Sequence, residues 1–193
     1  LVNPDLARPG NRTVGAAARG NRLLAQHPEL GHDGSAPASR RMMYLNGTSM
    51  ATPVVAGAAA LMLQANPRLT PNLLKAILVY TAQPLEGFNM LEQGAGQLNV
   101  EGAVRLARLV RADLGLLTPL GSPLLTSLVP PAPRTTIAGQ TFEWSQGLIM
   151  RHGYAAGVEL ITRYQKIYGQ GVLVTDGVLV TDGVLVTDRM MLS

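Results

Sequence analysis

The sequence predicts a mixed helix-and-strand chain whose helices are concentrated between residues 48 and 112. Three observations predict it. Hydrophobic residues fill 47% of the 193 positions and charged residues 15%, a balance that supports a core and excludes a typical disordered chain. Three segments within 48–112 carry apolar residues at helical spacing behind capping residues. Short strand-forming runs lie elsewhere: Met42 to Leu45, Thr141 to Trp144, and Val-Leu-Val-Thr units near the C-terminus. At about 150 residues per domain, the length suits one to two domains.

Residues 1–47 are broken up by Pro4, Pro9, Pro28 and Pro37 and by repeated glycines, so they read as loop. Leu1-Val2 and Met42 to Leu45 are the candidate strand ends. The first helix is expected from Ser49 to Ala65. Val54, Val55, Ala58, Leu61, Met62 and Leu63 make it apolar nearly all round, which predicts a buried helix. Thr48 or Ser49 caps it, Pro53 falls near its first turn, and Asn66-Pro67 ends it. The second helix is expected from Pro71 to Ala82, with Thr70 as cap, Pro71 at the first helical position and a stripe of Leu73, Leu74, Ile77 and Leu78. The third runs from Val100 to Arg111 behind Asn99. Val100, Ala103, Val104, Ala107 and Val110 share one face, and Glu101 and Arg105 pair at i,i+4 on the other. Gly94 to Leu98 reads as a tight turn into a short strand.

Five prolines between 115 and 140 predict a linker. Beyond it Gly-Val-Leu-Val-Thr-Asp occurs three times without change, at 171–176, 177–182 and 183–188. Asp176-Gly177 and Asp182-Gly183 favour tight hairpin turns, so a three-stranded meander is the simplest structure; a poorly ordered duplicated tail is the alternative.

Several function classes fall away. The chain has no cysteine, which excludes disulfide scaffolds, thiolate-bound zinc and thiol catalysis. The formal charge is +4, but the arginines are scattered and aromatics make up 4%, so no nucleic-acid surface is expected. The longest apolar run, Val54 to Leu63, is too short to span a membrane.

The string that carries chemistry is Asn46-Gly47-Thr48-Ser49-Met50-Ala51-Thr52-Pro53. A serine just behind a glycine, at the start of a long helix, has its hydroxyl beside unpaired N–H groups and the positive end of the helix dipole. Its own N–H can then serve as a donor to an oxyanion forming next to it. Taken alone, Gly-Thr-Ser is more simply a helix cap. The full string resembles the nucleophile motif of the subtilisin-like serine proteases, Gly-Thr-Ser-Met-Ala-x-Pro, from Gly47 to Pro53 without a gap. Pro4-Asp5-Leu6 with Pro9-Gly10 resembles a family segment upstream of the nucleophile. Thr70-Pro71 and Gly94-Ala95-Gly96-Gln97-Leu98-Asn99 resemble elements downstream of it. The resemblance covers about residues 3–110.

The resemblance implies that Ser49 is the nucleophile and its N–H an oxyanion donor. It implies that Asn46 and Gly47 border the substrate, that Thr48 supports the oxyanion site and that Met50 packs behind Ser49. It also implies an α/β fold, with residues 1–114 the C-terminal part of a parallel-sheet catalytic domain; beyond the resemblance, the proline density makes 115–140 a linker and leaves 141–193 as an extension. The polypeptide substrate, the secreted bacterial setting and the absence of a cofactor follow from the same resemblance. Calcium occurs in the family, yet no Asp/Asn/Glu cluster with ligand spacing is evident. Val54 stands where many members carry His, at a position without a catalytic role.

The family's order along the chain is Asp, His, Ser, and its Asp and His motifs lie upstream of Pro4-Asp5-Leu6. Residue 1 is Leu rather than Met. The chain is therefore expected to be a fragment, lacking the N-terminal half of its catalytic domain and inactive alone. His27, His32 with its neighbour Asp33, and His152 are read as loop residues rather than a general base. A different class of function stands beside this one: a non-catalytic relative acting as a binding or surface module through its repeats.

Overall fold

The computed structural model describes residues 4–34, 36–37, 39–115, 117–150, 153–169, 179–181 and 184–186. They divide into two units, Arg8–Gly57 and the combination of Leu1–Ala7 with Ala58–Ser193.

In the Arg8–Gly57 unit, β1 (Thr13–Ala16) pairs antiparallel with β2 (Met42–Leu45), Thr13 opposite Leu45 and Ala16 opposite Met42. Between them α1 (Arg22–Gln26) starts where the Asn21 side chain accepts the Leu24 N–H at 2.9 Å, an N-cap. A 3-10 turn, Pro28–Leu30, brings Gly31 against Met43. Met43 and Ala17 are the buried apolar side chains of this small unit. The strand expected at 42–45 is thus β2; Leu1-Val2 lies outside the described residues.

Helix α2 (Thr48–Ala65) begins in this unit, and its second half belongs to the other. It starts at Thr48, so Gly47, not Thr48 or Ser49, holds the cap position. Pro53 sits in the second turn rather than the first; lacking an N–H, it offers no helical bond to the Ser49 carbonyl. The expected burial is not found. Only Ala58 and Met62 are buried, while Leu61 and Leu63 are exposed. A helix apolar all round needs cover on every side, and the described residues supply it along one line. With 18 residues and a mean hydropathy of 1.3 the helix is long and apolar enough for a membrane span, although ten residues of unbroken apolar sequence did not suggest one. Core helices of globular domains meet the same criteria.

The other unit is built on α3 (Pro71–Tyr80) and α5 (Val100–Leu109), with the single-turn α4 (Met90–Gln93) between them. All three begin at the side chains the sequence offers: Thr70 accepts the Leu73 N–H, Asn89 forms a reciprocal capping box with Glu92, and Asn99 accepts the Gly102 N–H. Leu73, Ile77 and Leu78 are buried as the stripe predicts; Val79 and Tyr80 join them. Each such side chain contributes about 1.5–3 kcal/mol. On α5, Ala103 and Ala107 are buried as expected, but the largest contribution is Leu106, fully enclosed. Asn66, which ends α2, donates its amide to the Ala107 and Val110 carbonyls at 3.2 and 3.0 Å.

Gly94 to Leu98 does not form a strand. It makes single bridges instead, Gln97 facing both Ala7 and Gln83. Gly96 is required there: its φ is +126° and an added Cβ would lie 2.2 Å from the Gln83 carbonyl oxygen.

The Pro-rich stretch 115–140 is mixed: Leu117, Leu128 and Val129 are exposed. Leu124 and Leu125 are buried, and Pro123 bridges to Arg163. Its end forms β3 (Arg134–Ile137), which pairs with β4 (Gln140–Glu143) across Ala138-Gly139. Both turn residues have positive φ, +50° and +80°, the geometry that matches strand twist in a two-residue hairpin. A second hairpin, β5 (Gly147–Met150) with β6 (Gly153–Ala156), follows, then α6 (Glu159–Thr162) and a 3-10 turn, Lys166–Gly169. That turn closes on the start of α3: the Thr70 hydroxyl donates to the Tyr168 carbonyl and the Asn72 amide to that of Ile167.

The parallel sheet implied by the resemblance is not found. Among the described residues the sheets are four antiparallel pairs, and the only parallel pairing is the bridge Ala7–Gln97. Parallel pairing needs a crossover of a dozen or more residues between strands. Here β3–β4 and β5–β6 are four-residue strands joined by two residues, which dictates antiparallel order. In the repeats, β7 (Leu179–Thr181) pairs with β8 (Val184–Val186). The repeat at 171–176 lies outside the described residues, and with it the expected three-stranded meander.

Burial pushes the phenols of Tyr80, Tyr164 and Tyr168 above their ordinary value, Tyr168 most strongly. The fold therefore favours the neutral phenols. This stabilisation is complete below about pH 10, the unfolded value, and is lost as pH rises beyond it. Absorbance at 295 nm is expected to rise together with loss of far-UV circular dichroism. Full tyrosinate formation with the dichroism intact would contradict the burial.

Candidate active site

Ser49 is the second residue of α2, and it is exposed. Its N–H belongs to the first turn, whose donors have no acceptor within the helix. The chain reaches that position through Gly47, whose φ of +135° is strained for any residue with a Cβ. Two hydrogen bonds hold the approach: the Gly47 N–H donates to the Gly10 carbonyl at 2.9 Å, and the Met50 N–H to that of Gly47 at 3.0 Å. The Thr52 hydroxyl donates to the Thr48 carbonyl at 3.1 Å.

Asn46 is exposed, and its side-chain oxygen accepts the Arg12 N–H at 2.6 Å. Arg12 has φ +49°, and its guanidinium lies 4.5 Å from the centre of the Tyr44 ring. Asn46, Gly47, Thr48, Ser49 and Met50 therefore follow one another from the end of β2 into α2, with Met50 half-buried and the others exposed. Sequence reasoning did not single out Arg12. Its contact with Asn46 spans 34 positions, and no local pattern announces it. The importance of Gly10 was partly visible in Pro9-Gly10.

Gly10 and Gly47 are matched by close approach. A Cβ at Gly10 would lie 2.4 Å from the Gly47 carbonyl oxygen, so the turn would have to move. Gly10→Ala is expected to cost about 1–3 kcal/mol locally. Hydrogen exchange at the Gly47 and Met50 amides should accelerate tenfold or more. Unchanged protection of both would show the turn to be independent of Gly10.

Neither described histidine is hydrogen-bonded to Ser49. His27 Nδ1 meets Glu29 Oε1 at 3.0 Å, and His32 Nδ1 meets the Tyr44 hydroxyl at 2.7 Å. Both rings are exposed. His152 lies outside the described residues. The Glu29 carboxyl is held below its usual value, first by a backbone hydrogen bond and then by His27. The site thus has a hydroxyl and helix-terminal donors, and a hydroxyl without a base is a poor nucleophile at neutral pH. Among the described residues no group of three or more His, Asp or Glu side chains gathers to hold a metal ion.

The model of the subtilase family matches residues 1–103, more than half of the 193, and the matched stretch contains the whole string around Ser49. The chain belongs to the subtilase family. Among its relatives, Serine protease AprX of Bacillus subtilis (strain 168) is 45% identical over 60 residues, 31% of this chain and 14% of the relative. Subtilisin Savinase of Lederbergia lenta is 49% identical over 61 residues, 32% of this chain and 22% of its own length. The human membrane-bound transcription factor site-1 protease is 42% identical over 65 residues, 32% of this chain and 6% of the relative. The matches thus span less than a quarter of the length of these relatives.

Proposed function

We propose that the chain is the nucleophile-bearing part of a serine endopeptidase. One observation carries this reading: Ser49 is exposed in the first turn of α2, directly after the positive-φ Gly47, within a gapless family motif. In the proposed reaction, Ser49 Oγ attacks the carbonyl carbon of the scissile peptide and a base takes its proton. Oxyanion donors of this kind contribute about 3–4 kcal/mol each as charge develops; here one is the Ser49 N–H. The tetrahedral intermediate collapses, the C–N bond breaks and the amine leaves with a proton. Water then hydrolyses the acyl ester and restores Ser49. Asn46 and Gly47 border the substrate, Thr48 supports the oxyanion site and Met50 packs behind the nucleophile.

In this proposal the base and its orienting carboxylate come from a segment encoded before Leu1 or supplied in trans. These 193 residues alone do not cleave peptides. The complete enzyme acts on polypeptides as a secreted bacterial protease, in keeping with the Bacillus and Lederbergia relatives. It needs no cofactor in the chemical step.

The test has two arms. The reading frame upstream of the Leu1 codon should stay open long enough to encode the missing Asp and His motifs. The protein expressed from that extended frame should label at Ser49 with a fluorophosphonate, while the 193-residue chain should not. A frame closed just upstream, with no label on Ser49 after mixing with a separately encoded N-terminal half, sinks the proposal.

A further inference from the structure

The net charge of this protein is concentrated in the unit that bears Ser49. Arg8–Gly57 carries six arginines against Glu29 and Asp33, a net +4, which equals the formal charge of the whole chain; the remaining residues balance ten basic side chains against ten acidic ones. Five of the six arginines are exposed. No Asp or Glu occurs between Asp33 and Glu86, so β2, the string around Ser49 and α2 contain no carboxylate. One of these cations is fixed beside the string. The Arg12 N–H donates to Asn46 Oδ1 at 2.6 Å, and the Arg12 guanidinium lies over the Tyr44 ring, 4.5 Å from its centre. Tyr44 and Asn46 are two positions apart, the spacing that puts side chains on one face of an extended chain. Arg12 touches both, so its charge is held on the face that Asn46 occupies.

The ring beneath the cation is itself fastened. The Tyr44 hydroxyl and His32 Nδ1 are 2.7 Å apart, and the two rings meet edge-on. A guanidinium lying over a ring uses its face and leaves its in-plane N–H donors for a carboxylate, which they match two at a time. Three residues of chain separate Asn46 from Ser49, at most about 11 Å, close to the Debye length of about 10 Å at 0.1 M salt. We propose that Arg12 is a specificity-determining residue, and that the protease favours polypeptides carrying Asp or Glu in the segment that borders Asn46. The inference rests on the reading of Ser49 as the nucleophile. The positive unit draws acidic chains toward it, and Arg12 reads one carboxylate. Nucleic acid answers to the same charge but gains from open rings on which bases stack; Tyr44 already carries Arg12 and His32.

The probes are a fluorescent peptide rich in Glu and its twin with Gln at the same positions, each titrated with the full 193-residue chain. By anisotropy the Glu peptide should bind at least tenfold more tightly, and the difference should shrink as salt is raised. Arg12→Gln should weaken the Glu peptide about fivefold. Arg22→Gln removes the same charge from the start of α1 and should weaken it less than twofold. Arg12→Lys keeps the charge and should retain more than half of the preference. Equal binding of the twin peptides overturns the proposal, and so does an equal loss in Arg12→Gln and Arg22→Gln. Arg12→Lys as weak as Arg12→Gln also overturns it, since the loss would then lie in the turn and not in the charge. Single-stranded DNA that displaces the Glu peptide at equal or lower concentration overturns it in favour of a general polyanion surface. In the protein expressed from the extended frame, kcat/KM should favour the Glu substrate over its Gln twin. Fluorophosphonate label on Ser49 with equal kcat/KM for the two overturns the role of Arg12 and leaves the nucleophile standing, whereas no label on Ser49 overturns the reading on which that role rests.

Discussion

Ser49→Ala in the complete protease is expected to lower kcat about 10⁶-fold. The substitution removes one oxygen and leaves the α2 backbone in place, including the Ser49 N–H that would face the oxyanion. What disappears is the covalent route, because no other described hydroxyl occupies the first turn behind Gly47 except Thr48, which lacks the same position in the motif. Water must then attack directly, aided by binding and the remaining donors, and a residual acceleration of about 10³–10⁴ over solution is expected. KM should change little, since the lost oxygen reacts with the substrate rather than holding it. Steady-state hydrolysis of a chromogenic peptide, with fluorophosphonate titration of the intact site, measures both effects. A variant within tenfold of the parent would remove Ser49 from the mechanism. Gly47→Ala offers a useful contrast: the hydroxyl stays, but φ +135° becomes strained, so the loss should be partial and accompanied by lower stability.

The turn into α2 was legible where its information is local. Gly47, Ser49 and Pro53 stand in one string, and helix propensity together with the motif placed Ser49 at a helix start before any coordinates. The contacts that hold the string were not legible. Gly10 and Arg12 reach it from more than thirty positions away through backbone groups; Pro9-Gly10 hinted at the first, and nothing in the sequence signals the second. The same division runs through the fold. Thr70 and Asn99 announced α3 and α5 because a cap and the helix it starts are neighbours in sequence. Burial of α2 was misjudged because an all-apolar pattern reports what a helix needs, not what the chain provides to cover it.

The strand at the end of the Pro-rich stretch was hidden for a different reason. Prolines break local hydrogen bonding, so their density obscured Arg134-Thr135-Thr136-Ile137, a run with three β-branched residues that becomes β3. Its turn, Ala138-Gly139, is not among the strongest hairpin dipeptides, and Ala138 accepts a left-handed φ because the pairing on both sides holds it there. Likewise, Glu101 and Arg105 were expected as a solvated i,i+4 pair. They do pair, Nε to Oε1 at 3.1 Å, but both also turn toward β3.

The Thr135 hydroxyl is where they converge, and Thr135→Val is expected to destabilise the 58–193 unit by about 2–4 kcal/mol. The hydroxyl donates to Glu101 Oε2 at 2.7 Å and accepts from Trp144 Nε1 at 2.9 Å and Asn99 Nδ2 at 3.0 Å, with Arg105 Nη2 at 3.3 Å as a longer contact. One donor and two good acceptor bonds exhaust a hydroxyl. Valine keeps the shape and removes all of them. Asn99 retains the Thr81 carbonyl at 2.9 Å, but the Trp144 N–H is left buried without its acceptor, and Glu101 loses a donor. Trp144 is the chain's single tryptophan; it stacks edge-on against Tyr80 and under the Arg105 guanidinium. Its fluorescence therefore reports directly on this junction between α3, α5 and the β3–β4 hairpin. Urea unfolding followed at Trp144 should show a lower midpoint for Thr135→Val, whereas Thr135→Ser keeps the hydroxyl and should lose no more than about 1 kcal/mol for the missing methyl. Equal midpoints for the two variants would mean that the methyl packs and the hydroxyl is incidental; a separation of the expected size would mean that the Thr135 hydroxyl is one of the bonds that fasten residues beyond the family match to α3 and α5.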